Sequence, residues 1–158
     1  MALLRRVLDA HAAGASIVEH NLDIGVPFGP VFDRVLVDAP CTGLGTLRRD
    51  VDIRWRRGPD DIRLAAARQR WMLSEASTAV APHGRLVYAT CSSEPEENAE
   101  VVAAFLAHHP GFRRVAAATL IAEGMGEALL DPLTGELSTR PDRHGLECFY
   151  AAAVERVT

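Results

Sequence analysis

Two cysteines and an aspartate stand where a sheet would present them to a ligand. Phe32 to Val37 is dominated by apolar residues and stops at Asp38, after which Pro40, Cys41, Gly43 and Gly45 follow in a polar loop. Arg85-Leu86-Val87-Tyr88-Ala89-Thr90-Cys91-Ser92-Ser93 repeats the pattern, again with a cysteine at the end of an apolar run. In an α/β sheet, ligands bind beyond the carboxyl ends of the strands. Taken singly each feature is weak, because a cysteine after a buried strand is more often a small core residue and an aspartate there more often forms a turn. The pair is stronger. Consecutive parallel strands joined by one helix are usually neighbours, so both thiols would face one crevice. Such a pair suits redox exchange, or one nucleophile with one assisting thiol. The third cysteine, Cys148, makes no CxxC or Cys/His cluster with them, which argues against zinc and against a disulfide framework.

These residues need a scaffold, and the chain supplies its rhythm. Residues 2–13 place Leu3, Leu4, Val7 and Leu8 at helical spacing, and Gly14 is a C-terminal stop. Ile17-Val18 reads as a short strand, followed by a Gly- and Pro-containing loop over 21–30. Val35-Leu36-Val37 reads as a strand buried on both faces, and Gly43 and Gly45 permit close backbone approach to something bound. Residues 39–58 are more than a connector needs and suggest a functional loop. A helix over 61–81, capped by Asp60, turns Ile62, Ala65, Ala66, Met72, Leu73 and Ala76 inward, and Pro82-His83-Gly84 ends it. Glu94, Glu96 and Glu97 suit the first turn of a helix reaching about residue 109. Strands are expected over 112–116 and 148–154, with a hairpin around Pro132-Leu133-Thr134-Gly135.

The chain has 158 residues, 48% of them hydrophobic, enough for one domain with a core. No run is long enough to span a membrane and no signal-peptide layout is present, so a cytoplasmic protein is expected. The net charge of −4 hides an uneven distribution: residues 48–70 carry eight Arg against four Asp, a local +4 that leaves −8 elsewhere. The basic stretch could track phosphates, although a solvated helix face is the blander explanation. Of the six histidines, His83, His108 and His109 suit surface roles, and only His144 stands near a candidate strand end. No nucleophile elbow or phosphate-cradling glycine loop is present.

Asp38-Ala39-Pro40-Cys41-Thr42-Gly43-x-Gly45, together with Thr90-Cys91-Ser92 and Pro95-Glu96-Glu97-Asn98, resembles the paired fourth and sixth motifs of the Fmu/Sun family of RNA (cytosine-C5) methyltransferases. Leu47-Arg48-Arg49-Asp50-x-Asp52-Ile53-Arg54-Trp55 and His144-x-x-Glu147-Cys148-Phe149-Tyr150 are similar to it as well, so the match runs over essentially the whole chain. The resemblance implies that Cys91 is the nucleophile that adds to cytosine C6, and that Cys41 assists product release. It implies S-adenosylmethionine as cofactor, with Asp23, Asp38 and Pro40 at the cofactor and target base. Asp38 would meet either the methionine amino group or the base's N3 and N4 edge. Arg48, Arg49 and Arg54 would contact phosphates of an RNA, most simply ribosomal RNA, whose target cytosine is unstacked. Glu147-Cys148 stands where the family usually has Asp-Gly.

The expected fold is therefore α/β, a Rossmann-like S-adenosylmethionine-dependent methyltransferase with a mostly parallel sheet in the order 3-2-1-4-5-7-6. Ile17-Val18 would be strand 3 and the Val35 run strand 4. Strands 1 and 2 and the glycine-rich cofactor motif are missing, so residues 1–158 read as the C-terminal part of a catalytic domain. The expected function is methylation of cytosine C5 in RNA through a covalent Cys91 adduct, with no metal and no membrane. A truncated, catalytically incompetent RNA-binding fragment is the alternative, and a dithiol redox protein a weaker one, since the thiols lie on separate loops.

Overall fold

A computed structural model describes Arg6 and residues 14–158, with the side chain of Asp23 outside the description. The helix expected over 2–13 lies outside the described residues. Among the described residues the frame is built of five strands, two substantial helices and one short one: β1 (Phe32–Asp38), the short α1 (Ile53–Arg56), α2 (Pro59–Ser77), β2 (Val80–Thr90), α3 (Ala99–His108), β3 (Phe112–Arg114), β4 (Leu137–Ser138) and β5 (Tyr150–Arg156). The sheet order is β1-β2-β5-β3, with β4 on β5. β1 and β2 are parallel, whereas β5 runs antiparallel to β2, β3 and β4. The α/β class thus stands, and the order matches the 4-5-7-6 half of the expected sheet. Parallel character is confined to the pair that matters for the cysteines.

α2 and α3 cover one face. Ala66, Leu73, Val101, Val102 and Phe105 pack on Val80, Leu86, Tyr88, Ala152 and Val154. Alternation along β2 explains this face, since Leu86, Tyr88 and Thr90 are buried while Arg85, Val87 and Ala89 are only partly so.

Four expectations are corrected. β1 is not buried on both faces: Val37 is buried, but Leu36 is 67% exposed, because β1 pairs only with β2 and nothing described covers its other face. Ile17-Val18 is irregular rather than a strand, having no neighbouring strand to pair with among the described residues. α2 ends at Ser77 rather than 81, and Pro82-His83-Gly84 is a bulge inside β2, set against the register shift between Phe32 and Arg34, with His83 at φ 62°. The cap of α2 is also different. Gly58 precedes Pro59, and the Asp61 carboxylate reaches back to accept from the Gly58 amide at 2.9 Å, leaving Asp60 exposed and paired with Arg63.

Candidate active site

The parallel pairing of β1 and β2 brings the two cysteine loops side by side. Ala39 N–H donates to the Ala89 carbonyl at 2.9 Å, extending the ladder one step past β1. Beyond it, the chain of Pro40 to Gly45 folds across the end of β2, and the Cys41 and Cys91 Sγ atoms lie 3.2 Å apart. Both thiols are half-buried and unbridged.

Gly45 explains how the loops come so near. Its N–H donates to the Cys91 carbonyl at 3.0 Å, and its own carbonyl accepts from the Cys148 N–H at 3.1 Å. A Cβ at this position would stand 2.4 Å from the Cys148 carbonyl oxygen and 2.6 Å from that of Cys91. The close approach foreseen for Gly45 is therefore to the protein's own backbone, not to a ligand. Cys148, half-buried, contributes this backbone bond rather than its thiol. Gly43, at φ 76°, makes the left-handed turn that starts the loop's helical step.

Glu97, expected in a first helical turn, does occupy a turn of helix but turns its carboxylate beneath both loops. Glu97 is fully buried. Its Oε1 accepts from Thr42 N–H at 2.9 Å and from Gln69 Nε2 at 2.9 Å; its Oε2 accepts from Thr42 Oγ1 at 2.5 Å and Ser92 Oγ at 2.6 Å. Gln69 also donates to the Pro40 carbonyl, and Tyr88 OH to the Glu97 carbonyl. Next to it, Asn98 accepts from Thr90 Oγ1 at 2.5 Å and donates to the Ser92 carbonyl at 2.9 Å.

Burial, and then the hydrogen bond with Cys91, pushes the Cys41 thiol up from 9.0 to about 12, against the smaller opposing effect of the Gly43 and Cys91 backbone amides. Cys41 is therefore a neutral thiol at physiological pH. At pH 8 iodoacetamide is expected to label Cys41 at least about tenfold more slowly than an ordinary thiol, as read by peptide mass spectrometry, since the thiolate is the reacting form and its scarcity outweighs its greater nucleophilicity. Because the folded value lies above 9.0, protons are held longer in the folded state, and stability falls as pH rises from about 9 toward 12.

The other expected residues scatter around this centre. Asp38 is exposed at the end of β1 and lines a groove of about 380 Å³ with Leu22, Val26 and Phe28. Pro40 and Cys41 line a different, smaller groove of about 210 Å³ with Arg57 and Arg68. Asp23 belongs to the turn Leu22–Ile24. Arg48, Arg49 and Arg54 are all exposed. Arg49 faces Glu147 at 3.7 Å, which ties the basic loop to the Cys148 segment. Arg54 lies 5.0 Å over the ring of Trp55, which is 78% exposed. His144 ends a short turn and accepts from the Arg140 amide, away from the thiols' hydrogen-bond network. Among the described residues no group of three or more His, Cys, Asp or Glu could hold a metal ion, and no helix is long and apolar enough to cross a membrane.

Comparison with known proteins places the chain in context. Residues 6–155 match the family described as 16S rRNA methyltransferase RsmB/F. Ribosomal RNA small subunit methyltransferase B of Thermus thermophilus is 40% identical over 151 residues, covering 94% of this chain and 35% of that protein. The crystal structure of PH0851 superposes with a TM-score of 0.80 at 32% identity, over 97% of this chain and 34% of that one. NSun6 from Pyrococcus horikoshii, solved with SFG, has the same fold at a TM-score of 0.77 and 21% identity, over 98% and 38%. The chain thus spans about a third of the length of these relatives.

Proposed function

The chain belongs to the RsmB/F family of 16S rRNA methyltransferases, the Fmu/Sun group, and from that membership we propose that residues 1–158 are part of a catalytic domain that methylates cytosine C5 in ribosomal RNA. The observation that carries this reading is the 3.2 Å contact between two thiols at the ends of adjacent parallel strands, one of them held neutral.

Cytosine C5 is a poor nucleophile until a thiolate adds to C6. Cys91 forms that bond, and the ring electrons then make C5 nucleophilic. S-adenosylmethionine, whose analogue SFG accompanies a fold neighbour, supplies the methyl group when bound. The exposed Asp38 carboxylate beside an apolar groove wall suits an ammonium-bearing ligand with an aromatic ring, and Asp38, Pro40 and Asp23 are the residues proposed to hold it. Cys41 acts afterwards. While Cys91 is free, burial and the hydrogen bond that the Cys41 S–H donates to Cys91 keep Cys41 a thiol; once Cys91 is bonded to C6, that hydrogen bond is weakened, leaving burial as the chief remaining cause. With that bond weakened, Cys41 gives up its own proton to solvent more readily, and as the thiolate it takes the C5 proton and returns to the neutral thiol. Loss of that proton expels Cys91 and restores the aromatic ring.

Arg48, Arg49 and Arg54 are proposed to bind RNA phosphates, with Trp55 stacking on an unpaired base. The test is incubation of the chain with small-subunit ribosomal RNA and methyl-labelled S-adenosylmethionine, followed by digestion to nucleosides. Label is expected in 5-methylcytidine. Label in another nucleoside overturns the C5 assignment, and unlabelled RNA overturns the activity of the chain.

A further inference from the structure

We propose that Glu97 is a positioning residue whose carboxylate sets the separation of the Cys41 and Cys91 thiols. Each thiol is followed directly by a residue bound to this one group: Thr42 after Cys41, through amide and hydroxyl, and Ser92 after Cys91, through its hydroxyl. Gln69 joins the same carboxylate to the Pro40 carbonyl on the other side of Cys41. Glu97 therefore fastens both loops from beneath, with no cationic partner among the described residues.

The chemistry of the donors explains why an acid is used. Four donors converge on two oxygens; the Thr42 backbone amide cannot turn into an acceptor, and the Gln69 side-chain amide could do so only by a flip that sets its oxygen against the Pro40 carbonyl. A carboxylate accepts all four at once and binds each more strongly than a neutral acceptor. Glutamine can serve the amide pair with its one oxygen, but it then presents N–H groups to the Thr42 and Ser92 hydroxyls, which must reverse. The loops remain folded and lose the charge-assisted link between them. A merely structural Glu97 would lower stability without changing the distance between thiols in molecules that are folded.

The inference deepens the methyl-transfer reading, in which both thiols act, but its test needs neither RNA nor cofactor. The chain is equilibrated with glutathione, so that one oxidised glutathione and the two protein thiols give one Cys41–Cys91 disulfide and two reduced glutathiones. The effective concentration of one thiol at the other follows from the proportions, read by mass spectrometry well below the unfolding temperature, with circular dichroism confirming the folded state. Glu97→Gln is expected to lower this concentration tenfold or more. Ser92→Ala, which cuts one arm only, is expected to lower it about threefold and provides the readout should Glu97→Gln not fold. Values within twofold of wild type for a folded Glu97→Gln, or an unchanged Ser92→Ala where the first variant does not fold, overturn the proposal. Neither result bears on whether the wild-type chain methylates RNA.

Discussion

Replacing Cys91 with alanine is expected to abolish methyl transfer, with a loss on the order of 10⁴-fold or more, as removal of a covalent nucleophile does. That factor corresponds to about 5.5 kcal/mol of barrier. The decisive form of the experiment uses RNA containing 5-fluorocytidine. Fluorine at C5 cannot leave as a proton does, so a chain that has attacked C6 stays attached to its RNA, and a protein–RNA band survives denaturation. Wild type is expected to give the band and Cys91→Ala none. Cys41→Ala should still attack and methylate, and should accumulate an adduct even on ordinary cytidine, because the step it serves comes after both. A band that persists in Cys91→Ala and vanishes in Cys41→Ala would exchange the two roles.

The second large effect is structural. Gly45→Ala is expected to destabilise the chain by about 3 kcal/mol, at the upper end for overpacking, measured as a fall in the denaturant midpoint. The methyl group would meet two backbone oxygens at 2.4 and 2.6 Å, and backbone cannot rotate away as a side chain can. Relief requires the Pro40–Gly45 loop to lift, which breaks the bonds from Gly45 to Cys91 and from Cys148 to Gly45. Gly29→Ala, with nothing among the described residues within 4 Å of its added carbon, is the control and should change stability little. Equal effects from the two substitutions would show that the loops are not packed as described.

What the sequence made legible was periodic or paired. Strand endings at Asp38 and Thr90 announced themselves through apolar runs cut by polar loops, and two cysteines at equivalent places implied adjacency, which the parallel register of β1 and β2 satisfies. What stayed hidden depended on partners far along the chain. Glu97 has the composition of a helix-opening acid, and only the meeting of residues 42, 69 and 92 shows that it is buried. Gln69 sits on the inner face of α2 among alanines and leucine, where an apolar pattern alone gives no reason to expect an amide. Leu36 misled in the opposite sense, because an apolar residue in a strand states what burial would suit it and not what is present to cover it.

That uncovered strand also governs how the chain behaves in solution. Among the described residues β1 pairs on one side only, which leaves a row of amides and carbonyls along its outer side, next to the exposed Leu36, that could template a strand from another molecule. Asp33, Arg34 and Asp38 bracket the apolar centre and act as gatekeepers by charge alone. Salt screens such charges, over about 10 Å at 0.1 M, while leaving apolar contact and hydrogen bonding intact. Colloidal stability of this chain should therefore be greatest in dilute buffer and decline as ionic strength rises, the reverse of what a sheet guarded by packing would show.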